Sequence, residues 1–107
     1  MHALATFAIA LSGLHGTVIK GPITPVCSVD QPCSAPAQVT LLFRRADRVY
    51  RTRSSVAGVY RVTLPAGYYT VTTLERIGIT RNIRPMRVHV RAGYRDRLDF
   101  RIDTGIR

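Results

Sequence analysis

The stretch Gly58-Val59-Tyr60-Arg61-Val62-Thr63-Leu64-Pro65-Ala66-Gly67-Tyr68-Tyr69-Thr70-Val71 decides the fold. Tyr60, Val62 and Leu64 alternate with Arg61 and Thr63, and Tyr69, Val71 and Thr73 alternate with Thr70 and Thr72. A period of two sends successive side chains to opposite faces of a strand. Pro65 presets φ for a turn, and Gly67 can take the positive φ that a three-residue hairpin needs at its last position. The stretch therefore predicts two strands joined at Pro65-Ala66-Gly67, with tyrosine and aliphatic side chains on the buried side.

The same pattern continues on both sides. Upstream, Val39, Leu41 and Phe43 alternate with Thr40 and Leu42, and a turn at Ala46-Asp47 leads into a strand from Val49 to Thr52. Downstream, Val88 and Val90 alternate with Arg87, His89 and Arg91. After Ala92-Gly93-Tyr94, Leu98, Phe100 and Ile102 alternate with Arg97, Asp99 and Arg101, which predicts a hairpin with one wet face. With a first strand over residues 15–19 the total is about seven strands, and the turn signals recur at the spacing of a sandwich. No helical stripe, tandem repeat or low-complexity stretch interrupts the pattern. The expectation is a single-domain, antiparallel, all-β sandwich.

The quoted stretch resembles the Gly-x-Tyr…Leu-Pro-x-Gly-x-Tyr-x-Val signature of carboxypeptidase regulatory-like domains, and the likeness spans residues 16–102. It implies a Greek-key, prealbumin-like sandwich serving as a structural or protein-interaction module of exported bacterial proteins, without catalytic residues. The opening Gly16-x-Val18, the cysteine loop and the closing Asp103-Thr104-Gly105-Ile106-Arg107 are also similar to small exported proteins of this type. The chain departs from the family at the turn before Gly58. An acidic turn is usual there, and Ser54-Ser55-Val56-Ala57 stands in its place, which puts any cation-binding turn in doubt. Hydroxyisourate hydrolases, enzymes of the related transthyretin-like group, end on Tyr-Arg-Gly-Ser; this chain does not.

With 107 residues there is room for one domain and one modest core. The apolar run over residues 3–14 is as long as the core of an export signal and too short to span a bilayer, so no transmembrane segment is expected. Residues 1–13 are read as a truncated signal or an apolar first element, and residues 14–107 as the domain. Cys27 and Cys33 lie in a loop with Pro22, Pro25 and Pro32, separated by five residues, too far apart for a paired zinc motif or a redox pair. A structural disulfide is the expectation, which suits an extracellular or cell-envelope location. Closing so short a ring contributes about 2 kcal/mol.

Sixteen basic residues, fifteen of them Arg, stand against six acidic ones, for a net charge of +10. No phosphate loop, nucleophile elbow or zinc-binding histidine pair is present, so the chain is expected to be no enzyme and to hold no cofactor or metal. Arg87, Arg91, Arg97 and Arg101 share the outward parity of the last two strands and form the candidate site for a polyanion, an acidic wall polymer or a nucleic acid. The same parity also fits a solvated face. The other candidate partner is a protein that adds a strand to a sandwich edge. Salt separates the two, since only the first depends steeply on ionic strength.

Overall fold

The computed structural model describes residues 11–24, 33–77 and 80–105. They form nine strands and no helix: β1 (Gly13–Gly21), β2 (Ala35–Pro36), β3 (Thr40–Arg45), β4 (Arg48–Arg53), β5 (Val59–Thr63), β6 (Gly67–Ile77), β7 (Thr80–Val90), β8 (Arg95–Arg97) and β9 (Phe100–Asp103). The expectation of about seven strands omitted β2 and β8, which at two and three residues are too short to show a period. No helix of the described residues is long and apolar enough to cross a membrane.

The strands make one sheet in the order β2-β1-β9-β7-β6-β3-β4, with β5 and β8 also on β1, curled into a half-barrel. The sheet is mixed, where an antiparallel one was expected, because β1 runs parallel to both β8 and β9. β1 is the hub. Its first half lies between β5 and β8, and its second half between β2 and β9. The curl lets both halves of the sheet bury their inner faces against one core.

That core follows the alternation in the sequence. Leu14, Val18, Leu41, Phe43, Tyr60, Val62, Tyr69, Val71, Val88, Val90, Phe100 and Ile102 are all buried. The Phe43 ring meets Tyr69 edge-on at 6.5 Å and Phe100 at 6.2 Å, the geometry in which a ring's positive edge meets a negative face. Burial pushes the Tyr60 hydroxyl up, and it donates to Leu98 O at 2.5 Å. Two positions break the simple pattern. Leu42 has outward parity yet is 6% exposed, flanked in register by Arg51 and Thr72. In β7, Ile83 and Val88 are both buried although five residues apart, because the β6–β7 register shifts between Thr70 and Thr72. Such a bulge flips side-chain parity.

Ala46-Asp47 forms the expected two-residue hairpin between Arg45 and Arg48, with Ala46 at φ 54°. The other two expected hairpins differ. Pro65-Ala66-Gly67 does not join paired strands; it carries the chain from β5, paired with β1, to β6, paired with β3 and β7. Side chains fix this crossing, since Tyr69 OH donates to Pro65 O at 2.6 Å and Arg45 Nη1 to Ala66 O at 2.9 Å. A tyrosine bonded to backbone a few residues upstream is the device of a tyrosine corner. Ala92-Gly93-Tyr94 does turn, with Gly93 at φ 78° and Tyr94 N donating to Arg91 O at 3.1 Å. The chain then leaves β7 to run beside β1, and β7 meets β9 only at Arg84 and Arg101.

The first strand begins at Gly13, and Ser12 already belongs to the packed domain: it is buried, its carbonyl accepts from Leu64 N and its hydroxyl from Gly93 N. Residues 1–10 lie outside the described residues, and so does Cys27, and with it the expected bond to Cys33.

Candidate functional site

The four arginines read as one patch are all exposed, but they occupy different neighbourhoods. Arg87 stands in register with Thr70 of β6. Arg91 is committed locally: Nε and Nη2 donate to the Asp96 carboxylate at 2.9 and 2.6 Å, and the guanidinium lies 3.9 Å over the Tyr94 ring. Arg91 holds the Asp96 carboxyl below the usual carboxylate range. Arg97 sits on β8 beside His15 and bonds Asp99, while Arg101 on β9 faces Ile19 on one side and Arg84 on the other. Parity put each on the correct face; what parity could not show is that β8 and β9 pair along β1 and not as a hairpin with β7, which β9 meets only at Arg84 and Arg101.

The outward face of β4-β3-β6-β7 carries a broader basic surface. One row across it reads Val49, Arg44, Thr70, Arg87, and the next reads Arg51, Leu42, Thr72, Asn82. Strands lie about 4.8 Å apart, so Arg44 and Arg87 are roughly 10 Å apart at the backbone. Among the described residues no carboxylate pairs with Arg44, Arg51 or Arg87. Arg53, on the same strand as Arg51, is neutralised by Glu75 at 3.2 Å. Burial pushes Glu75 up, but the amide and hydroxyl of Thr40 together with Arg53 outweigh it and leave the carboxyl low. At the end of this face Tyr68 stacks on His89, 4.2 Å between centroids and 9° from parallel, with Tyr68 73% exposed.

A second basic feature lies on the outward face of β5-β1-β8. Arg61, His15 and Arg97 form one row, and Thr63, Gly13 and Arg95 the next. His15, Arg61 and Arg95 line a hollow of about 460 Å³, and a neighbouring lobe of about 210 Å³ adds Thr17, Val59 and Arg97. Asp99 accepts from Thr17 N at 2.9 Å and from its hydroxyl at 3.1 Å. The Thr17 amide, then Arg97 and the Thr17 hydroxyl, keep this carboxyl low. Sequence reasoning missed Arg44, Arg51, His15 and Arg61 as site residues. Their outward parity was readable, but which strand lies beside which was not.

No family model matches the chain, and no curated protein does. Among solved structures the chain is similar to the Bacillus anthracis TIE protein, with a TM-score of 0.57 at 11% identity. The match covers 88% of this chain and 16% of that one, so it bears on the fold alone.

Proposed function

We propose that the chain is a non-catalytic accessory module of an exported protein, of the carboxypeptidase regulatory-like, prealbumin-type sandwich class, and that it holds an acidic polymer on its β4-β3-β6-β7 face. The observation that carries the binding role is Arg44, Arg51 and Arg87 on one sheet face without carboxylate partners among the described residues. Guanidinium forks suit phosphate and carboxylate groups, and a flat row of them suits a linear chain of such groups. The class rests on the signature itself: Tyr60 and Tyr69 are buried, Gly58 has φ 80°, and Tyr69 bonds Pro65. Export rests on the apolar N-terminal run and the expected Cys27 to Cys33 bond. Intact mass with and without reductant, on protein purified from its native host, checks that bond; two free thiols would contradict export.

Strand addition has weaker support. Thr52 Oγ1 donates to Arg61 O at 2.8 Å, which stitches the β4 edge to β5, and Arg48, Arg51 and Arg53 populate that edge. Charged edge strands discourage pairing with another strand. The test is anisotropy of a labelled polyphosphate chain, titrated across salt, with the wild type and an Arg44→Gln, Arg51→Gln, Arg87→Gln triple variant. The slope of log K against log salt should shrink by roughly 2 in the variant, about 0.7 for each phosphate that is no longer neutralised. An unchanged slope would remove this face from the reading. Tighter binding of a single-stranded oligonucleotide of equal charge would redirect it to nucleic acid, with Tyr68 and His89 as a stacking platform.

A further inference from the structure

The hollow on β5-β1-β8 is distinct from the polymer face and points to a smaller ligand. Gly13 stands between Thr63 and Arg95 in its row and leaves the centre of that row without a side chain. The space is needed. A Cβ on Gly13 would strike Val62 O and come within 3.0 Å of Arg95 Nη1, so the arginine lies over this bare floor. Arg95 is also oriented, because Nη2 donates to Thr63 Oγ1 at 2.9 Å across the glycine. That bond uses one of five guanidinium donors and leaves the others for a ligand.

The charge around the hollow is unbalanced. No carboxylate pairs with Arg61 or Arg95 among the described residues, and Arg97 is the one arginine here with an acidic partner, Asp99. Asp99 is itself occupied by Thr17. Two uncompensated guanidiniums therefore line the hollow together with the imidazole of His15, which adds a ring N–H donor. Two planar forks with a further donor beside them match a tetrahedral dianion with several oxygens better than a single carboxylate. The volume of about 460 Å³ falls in the range of small-molecule sites and exceeds what one inorganic ion fills. The adjoining lobe offers Val59, 54% exposed, as an apolar wall for whatever carries the anion.

We propose that the hollow between Arg61, His15 and Arg95 binds a phosphate monoester, with the phosphoryl oxygens between the two guanidiniums and the carrier in the lobe beside Val59 and Thr17. The proposal does not rest on the polymer-binding reading, which uses other residues on other strands.

The test is an amide and guanidinium NMR titration of the full chain at constant ionic strength, with inorganic phosphate, glycerol 3-phosphate and acetate. Saturable shifts at Gly13, His15, Arg61 and Arg95 are expected with both phosphates, tighter for the ester, and absent with acetate. Arg61→Gln and Arg95→Gln should each weaken binding about tenfold or more, the usual effect of removing one charge-assisted hydrogen bond. Arg87→Gln should leave it unchanged, so failure here and failure of the polymer reading are told apart. Because both arginines are exposed, unchanged melting temperatures establish that the variants fold. The proposal is overturned by acetate shifts equal to those of phosphate, by shifts spread over both faces, or by binding that survives both variants. Equal affinity for inorganic phosphate and the ester would overturn the carrier lobe.

Discussion

Ser54→Ala removes one buried oxygen, and the structure sets what that should cost. Ser54 is 1% exposed. Its Oγ accepts from Val39 N at 2.8 Å and donates to Ala37 O at 2.6 Å, while its own N–H donates to Val39 O at 2.9 Å. The hydroxyl thus ties the chain leading into β3 to the end of β4, where the regular ladder has already stopped at Thr40 and Arg53. Alanine would leave the Val39 N–H and the Ala37 carbonyl buried without that partner. Each unsatisfied group costs about 1–3 kcal/mol, and with both in the lower two thirds of that range the variant should lose roughly 2–4 kcal/mol. For a domain of this size that lowers the melting temperature by about 10–20 °C, with an unchanged urea m-value if only the native state is affected. Ser55→Ala is the control. Ser55 is exposed and its hydroxyl accepts only from Val59 N at 3.1 Å, so its removal should cost only about 0.5–1 kcal/mol. Circular dichroism melts and urea titrations of both variants decide the matter. A change below about 1 kcal/mol for Ser54→Ala, or equal changes for the two serines, would refute the idea that this hydroxyl is an interior cross-link.

Three further outcomes follow from single positions. Gly58→Ala should destabilise by at least about 2 kcal/mol in the same melts, since left-handed φ alone costs about 1–2 kcal/mol for a residue with a Cβ. Here φ is 80° and the added Cβ would lie 2.7 Å from Val18 O. Ala46→Gly should instead stabilise by about 0.5–1 kcal/mol, because relief at φ 54° exceeds the entropy that glycine loses on folding; a lower melting point would contradict it. The low carboxyls of Glu75 and Asp99 give the pH dependence. Their folded pKa lies below the ordinary value, so the unfolded chain takes up protons first as pH falls. Their stabilisation is present in full above the ordinary values of 4.5 and 3.8 and is lost as pH drops through the folded ones. Glu75→Gln should flatten the acid side of a plot of melting temperature against pH, and an unaltered acid limb would show the carboxylate contributes nothing there.

Much of the fold was legible because burial is a local signal in a strand. Tyr60, Val62, Tyr69, Val71, Val88, Val90, Phe100 and Ile102 alternate in the chain and alternate in burial. The Ala46-Asp47 hairpin was legible for a similar reason, since two residues between paired strands leave one register. Partner choice was not legible. Nothing within Gly13–Gly21 says that it lies between β5 and β8 at one end and between β2 and β9 at the other, because pairing is a property of the whole sheet. The candidate site failed at the same point. Parity correctly assigned Arg87, Arg91, Arg97 and Arg101 to the outside, and the pairing of β8 with β1 then gave Arg97 the company of His15 and Arg61.

The carboxylates explain why charge concentrates where it does, and they yield a last prediction. Glu75 serves Thr40 and Arg53, Asp96 serves Arg91, Asp99 serves Thr17 and Arg97, and Asp103 accepts from Gly105 N. These four are committed to local structure, which leaves the arginines of the two faces to set most of the field. β5 lies beside β4 through the Thr52 to Arg61 bond, so Arg44 and Arg87 stand two and four strands from Arg61, roughly 10 and 20 Å at about 4.8 Å per strand. Both separations exceed the Debye length of about 8 Å at 0.15 M ionic strength and fall within the roughly 30 Å of 0.01 M. A phosphate ester held by Arg61 and Arg95 should therefore weaken polyphosphate binding on the Arg44 and Arg87 face at low salt, through reduced positive potential, and leave it unchanged at physiological salt. Competition titrations at the two ionic strengths measure this. Competition that persists at physiological salt would mean that the two ligands share one site, and the separate hollow would have to be given up.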